Sequence, residues 1–214
     1  MPWKAAWKSC RCRDASAELD KVAARLHSVR CEAASRLASE VQDSIRFLEL
    51  ERAVFEVEVA SCELSSTGAD SVAFKFSSTG RGAVELSRCA SGGEMSRIML
   101  SLKSIMARFS QMPTLIFDEI DTGVSGSVAD KMGSVICSMG GDMQVFAITH
   151  LPQVAAKGRA HYLVSKQYDE ASGRTTSCIR QLEAEERVME VARMLSGATV
   201  SAAAVANARE LLSD

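Results

Sequence analysis

Thr114-Leu115-Ile116-Phe117-Asp118-Glu119 decides the fold. Four residues with apolar side chains or a methyl group run straight into two acids. Such a run suits a strand buried on both faces of a parallel sheet. Its C-terminal end would then present the acids where α/β folds place ligands. Pro113 precedes the strand, and the loop after it reads Asp121-Thr122-Gly123-Val124-Ser125-Gly126. Asp118 at such an edge suits Mg²⁺, directly or through water. Glu119 suits orienting or deprotonating a water. The plainer alternative is two solvated acids, which the third acid and the glycine loop make a poor fit.

Working outward, Gln144-Val145-Phe146-Ala147-Ile148-Thr149 is the next buried strand, and it ends on His150. A lone histidine is more often structural than chemical. Its place at the end of the neighbouring strand in sequence directs it to the same cleft, where a neutral imidazole suits a hydrogen bond to a phosphate. Upstream, Ser91-Gly92-Gly93-Glu94 opens a helix to about Phe109. Glycines before a helix let backbone N–H groups approach an anion, and the helix end adds partial positive charge. Taken alone, the plainer reading is a Gly-rich loop with Ser91 as N-cap and Glu94 at the capping-box position.

The remainder frames these segments. Leu19, Val22, Leu26, Val29, Ala33, Leu37, Val41, Ile45 and Leu48 recur at steps of three and four, which predicts an amphipathic helix over 14–52. The early steps alternate three and four, as in a coiled-coil seam, and the later ones drift toward four, as on a helix packed on a globular body. Met1 to Arg13, with Trp3, Trp7 and the Cys10-x-Cys12 pair, reads as an irregular terminus. Strands are expected at Val54–Val59 and Val72–Phe76. A helix follows at Ser127–Met139, then strands at Tyr162–Val164 and Thr175–Ile179, and closing helices at Arg187–Leu195 and Val200–Leu212. Strands alternating with helices indicate an α/β class with an antiparallel piece at one edge. Residues 53–214 are expected to form one lobe.

Composition narrows the functions. The 214 residues are 47% hydrophobic and 24% charged, ordinary globular usage. A net charge of -2 excludes a global basic field, so any nucleic-acid contact would be local. Arg11, Arg13, Lys21, Arg25 and Arg30 give the helix a mildly basic start, and a solvated face is the plainer reading. Seven scattered cysteines read as reduced thiols in a cytoplasmic protein rather than a disulfide framework. No 18-residue apolar run marks a membrane span.

The order of S-G-G-E, an apolar run ending D-E with a trailing D, and a strand ending T-H resembles the ABC-type ATPase head. The stretches ASGGEMSRIMLSLK, TLIFDEIDTGVSG and ITHLPQVAAKG, with FEVEV before them and VANARELL after, resemble the RecN family of SMC-like ATPases of bacterial double-strand-break repair. The resemblance covers about Leu26 to Leu212. It implies the C-terminal half of a P-loop ATPase head with part of a coiled-coil arm, acting in DNA recombination near the nucleoid. It further implies that Ser91, Gly92, Gly93 and Glu94 form the signature motif, binding ATP held by a second head. Asp118 would support Mg²⁺, Glu119 would act on water, Asp121 would communicate across the dimer as the D-loop, and His150 would sense the γ-phosphate.

The sequence departs from the family in one respect: none of its glycines begins the P-loop pattern G-x-x-x-x-G-K-[ST]. ATP and Mg²⁺ are therefore expected only with a P-loop lobe supplied by a partner. The alternatives are a non-enzymatic interaction module and an inactive truncated gene product. The opening with two Trp and C-x-C suggests a start site inside a longer gene.

Overall fold

A computed structural model describes residues 2–88, 92–169, 173–197 and 199–213. The chain divides into two compact units, Met1–Ala90 and Ser91–Asp214.

The first unit begins with helix α1, Pro2–Phe47. Its start differs from the expectation that 1–13 is irregular and the arm begins at Asp14. Pro2 is tolerated in a first helical turn, and residues 3–13 contain neither Gly nor a second Pro to break the helix. The side chains of Trp3, Trp7, Cys10 and Cys12 lie outside the described residues.

The apolar stripe of α1 divides along its length. Leu19, Val22 and Val29 are exposed, whereas Val41, Ile45 and Leu48 are fully buried. The helix stops in two hydrogen bonds that close back on its last turn: Glu49 N–H to Arg46 O (3.0 Å) and Leu50 N–H to Ile45 O (2.9 Å). Glu49 takes the left-handed conformation this ending requires, φ 65°.

Strands β1 (Val54–Ser65) and β2 (Gly68–Ser77) form an antiparallel hairpin, and β3 (Val84–Glu85) adds to β2. Two polar anchors fasten the hairpin to α1. The Gln42 amide donates to Ala53 O (2.7 Å) and accepts from Phe55 N–H (2.9 Å), standing in for a strand partner. Near the turn, Asp70 accepts from His27 Nδ1 (2.6 Å) and Arg30 (3.0 Å), and its side chain is only 2% exposed. The expected lobe 53–214 is thus divided, because these anchors commit its first hairpin to the helix.

The second unit carries the sequence motifs. Helix α2 (Gly92–Ser110) buries Ile98, Leu102 and Ile105 along one face. Strand β4 (Thr114–Asp118), helix α3 (Gly126–Met139) and strand β5 (Gln144–Ile148) follow, with β4 and β5 parallel. Helix α4 (Pro152–Lys157), the antiparallel pair β6 (Tyr162–Asp169) and β7 (Arg174–Gln181), and helices α5 (Ala184–Ser196) and α6 (Ala202–Ser213) complete it. The last two pack through Val191, Ala192, Ala204 and Ala208. Residues 170–172 of the expected turn between β6 and β7 lie outside the described residues.

Two expectations are corrected here. The strands are not buried on both faces: Phe117 is buried, but Ile116, Phe146 and Ile148 are 59%, 44% and 55% exposed. Two-sided burial needs a layer on each side of a sheet, and the described residues cover only the Phe117 side. The antiparallel hairpins are also not an edge of the parallel pair; each forms a separate sheet.

The α1–hairpin anchor has a defined acid response. Hydrogen bonding from His27, then from Arg30, holds the Asp70 carboxyl below its ordinary value of 3.8. A depressed folded-state value stabilises above the unfolded value, and that stabilisation is lost as pH falls through the folded value. Asp70→Asn should therefore be less stable than the parent at neutral pH, with the deficit shrinking at an acid pH below the ordinary carboxyl value. Urea midpoints at the two pH values measure it; a pH-independent deficit contradicts this assignment.

Candidate functional site

The parallel register of β4 and β5 sets the geometry. Asp118 lies opposite Ile148, and Glu119 N–H donates to Ile148 O (3.3 Å). The acids and the Thr149-His150 step therefore leave the same edge of the paired strands. Asp118, Glu119 and His150 are all exposed there.

Glu119 sits at φ 48°, the left-handed region that costs an ordinary side chain about 1–2 kcal/mol. A tight turn holds it: Glu119 O accepts from both Thr122 N–H (3.3 Å) and Thr122 Oγ1 (2.9 Å). This turn sends the Glu119 side chain and the following Asp121 in separate directions.

Asp121 is fully buried. Its Oδ2 accepts from Thr149 Oγ1, and the same hydroxyl oxygen accepts from Leu151 N–H (2.9 Å). The other oxygen, Oδ1, has no hydrogen-bond partner among the described residues and lies 3.8 Å from His150 Nδ1. The physical reason is the Glu119 turn, which folds Asp121 inward against the end of β5. Asp121 thus anchors the Thr149-His150 segment within its own chain, while 70% of the His150 side chain faces solvent.

The N-terminus of α2 is bolted to the same loop. Ser96 Oγ donates to Gly92 O (3.0 Å) and lies 3.1 Å from Thr122 O as a second acceptor. Gly93 approaches Gly123 so closely that an added Cβ would lie 2.4 Å from Gly123 O. Gly123 itself has φ +74°, so both positions need glycine. At Gly92 an added Cβ would meet nothing within 4 Å, and the residue is exposed. The two adjacent glycines thus differ: Gly93 is packed, and Gly92 is exposed with open space around it. Glu94 is half-buried in the first turn. Ser91 lies outside the described residues.

The structure gives several residues here a holding role that the sequence reading did not assign. Thr149 holds Asp121, Ser96 and Thr122 join the α2 end to the acid loop, and Arg187 donates to Ala156 O and Gly158 O at the end of α4. A hydroxyl just before His150 was a readable signal; nothing in the local sequence marks Arg187.

Oxygen donors at this edge suit a hard cation. Among the described residues no three His, Cys, Asp or Glu side chains converge as a metal cage. Mg²⁺ would take Asp118 from this chain and its remaining oxygens from phosphate and water, a common arrangement for that ion.

No family model matches the chain. It is 38% identical over 193 residues to the DNA repair protein RecN of Rickettsia conorii, covering 90% of this chain and 35% of that one. It is 37% identical over 219 residues to RecN of Bacillus subtilis, covering 91% and 38%. The chain therefore spans little more than a third of these relatives. Among solved structures it resembles the Smc head domain with a coiled coil and joint from Pyrococcus yayanosii (TM-score 0.61, 17% identity, 76% of this chain and 29% of that one). It also resembles an SMC ATPase chain described for ATP-driven dimerization and DNA-stimulated activation (TM-score 0.54, 15% identity, 81% and 99%). The fold is that of the C-terminal half of an ABC/SMC-type head with a long N-terminal helix.

Two stability outcomes follow from the geometry. Gly93→Ala should lose about 1–3 kcal/mol through forced backbone movement, while Gly92→Ala should be neutral or gain up to about 1 kcal/mol. Equal urea midpoints for the two would contradict the close approach. Thr149→Val removes the donor to a buried carboxylate and should cost about 1–3 kcal/mol; an unchanged midpoint would show that Asp121 does not depend on it.

Proposed function

We propose that this chain, which resembles a C-terminal segment of RecN, supplies the signature, Walker B and H-switch elements of a composite ATP site in DNA repair. The P-loop of that site would come from residues outside these 214, on the same longer polypeptide or on another. The observation that carries the reading is the shared strand edge: Asp118 and Glu119 leave β4 where Thr149 and His150 leave β5.

The roles follow from placement. Gly92, with Ser91 before it, offers backbone N–H groups at a helix N-terminus to the γ-phosphate of ATP held by a second head. Gly93 and Glu94 shape that turn. Asp118 is the one carboxylate this chain gives to Mg²⁺. Glu119 orients the attacking water and accepts its proton. His150 donates or accepts at the γ-phosphate edge, and Asp121 keeps it there through Thr149. When bound, ATP would supply the phosphoryl group and Mg²⁺ the neutralisation of charge on its oxygens. The protein's share is positioning and preorganised electrostatics.

Likeness to DNA repair proteins supports a role in double-strand-break repair and recombination, with DNA bound by the full assembly in the bacterial cytoplasm. Such contact would be dominated by phosphates and sensitive to salt. No helix among the described residues is long and apolar enough to cross a membrane. The second reading, a non-enzymatic interaction module, draws on the exposed Ile116, Phe146 and Ile148, an apolar strand face suited to docking.

ATP turnover should be at background for the isolated chain and appear when a RecN-type P-loop lobe is co-expressed with it. In that mixture Glu119→Gln should lower turnover by about 100-fold or more while leaving nucleotide-dependent association intact. Turnover by the chain alone would refute the composite site. Association without any turnover, indifferent to Glu119→Gln, would favour the interaction module.

A further inference from the structure

We propose that Cys31 is a peroxide-reactive thiol, with His27 as its base and Asp70 as the group that orients the base. The three side chains form a line. Asp70 Oδ1 lies 2.6 Å from His27 Nδ1. On the other edge of the ring, Nε2 lies 3.5 Å from Cys31 Sγ. A carboxylate accepts only, so Nδ1 carries a proton; in the neutral ring the lone pair is then on Nε2, the edge that faces the thiol. A nucleophile beside a base that a third group holds in place is the arrangement of an activated nucleophile.

Helix spacing makes the pair. His27 and Cys31 stand four residues apart on α1, hence on one face. The acid comes from the start of β2, forty-three residues from His27 in sequence. Arg30 donates to the other Asp70 oxygen (3.0 Å) and to Thr67 O (2.7 Å), so the acid is held from both sides. Burial is graded along the line: Asp70 is 2% exposed, His27 is 42% exposed, and Cys31 is exposed. The fixed end is inside and the reactive end is in solvent.

The other described cysteines provide the contrast. Cys62, Cys137 and Cys178 are also exposed. Cys62 donates to the neighbouring Glu63 O (3.5 Å). None of the three has a histidine within hydrogen-bonding reach among the described residues. An anchoring role for His27, Arg30 and Asp70 accounts for the fastening of α1 to the hairpin, but it makes no use of Nε2 or of Cys31.

The reaction takes hydrogen peroxide as oxidant. The thiol proton passes from Sγ to His27 Nε2, and the sulfur attacks one peroxide oxygen. The O–O bond breaks, an S–O bond forms, and the departing hydroxide takes the proton from Nε2 and leaves as water. Sulfur loses two electrons, the peroxide gains them, and Cys31 becomes a sulfenic acid.

The test treats the full chain with limiting hydrogen peroxide in the presence of dimedone and reads each cysteine peptide by mass spectrometry. A parallel reaction with iodoacetamide reads thiol reactivity without oxidation. Cys31 should be labelled about tenfold faster than Cys62, Cys137 and Cys178 in both reactions. His27→Gln should bring Cys31 down to their rate, with an unchanged far-UV circular dichroism spectrum at the assay temperature as the measure of intact folding. Labelling of Cys31 no faster than the other three in the unaltered chain overturns the proposal without any variant. Fast labelling that persists in His27→Gln overturns the role of His27.

Discussion

Two stretches of backbone, Gly93 and Gly123, lie so close that neither tolerates a side chain between them. This approach fixes where helix α2 begins relative to the acids at the end of β4. It is a steric constraint, so it acts at all pH values and salt concentrations. Ser96 adds direction by donating to the carbonyl of Gly92 at the same junction. The Thr122 carbonyl that Ser96 also reaches belongs to the turn that holds Glu119 at positive φ. The helix end, the acid turn and the β5 end are therefore one connected backbone object, and its side chains are aimed by that object.

The parts of the site readable from sequence were those that depend on chain direction. An apolar run ending in Asp118-Glu119, and another ending in Thr149-His150, needed only parallel pairing to share an edge, and the register supplies it. The fold class was legible for the same reason. What sequence could not give was the direction of side chains after a left-handed residue. Asp121 follows Glu119 by two positions in a glycine-rich loop, and its residue type does not say whether it faces in or out. The positive φ of Glu119 decides the direction, and it leaves no mark in the residue types, since glutamate seldom adopts it.

The misread elements have similar causes. Ile116, Phe146 and Ile148 carry the signature of two-sided burial, because hydrophobicity reports what a strand is suited to meet, not whether the described chain provides it. The opening of α1 reads as irregular from its odd composition, yet nothing in it breaks a helix. Helix α4 is six residues long, below the length at which periodicity can be recognised. The split at Ala90/Ser91 arises from Gln42 and Asp70, polar anchors that a search for apolar stripes passes over.

Burial sorts the site into two classes with different work. Gly93 and Asp121 are buried, and they are the residues that hold other groups: one sets the helix against the loop, the other seats Thr149. Gly92, Asp118, Glu119 and His150 are exposed, and they are the ones with free valence for a ligand. The chain thus fixes geometry by itself but leaves the proposed ligand-facing groups in water. Electrostatic catalysis draws most of its strength from a water-excluded, low-dielectric setting. Exposed carboxylates and an exposed imidazole have little of that until another surface covers them. An open, preorganised edge is therefore what one half of a shared nucleotide site should look like. The strain retained at Glu119 fits the same logic, since local backbone strain of this kind gathers at functional positions: the turn that costs stability is the one that frees the Glu119 carboxylate while tucking Asp121 beneath His150.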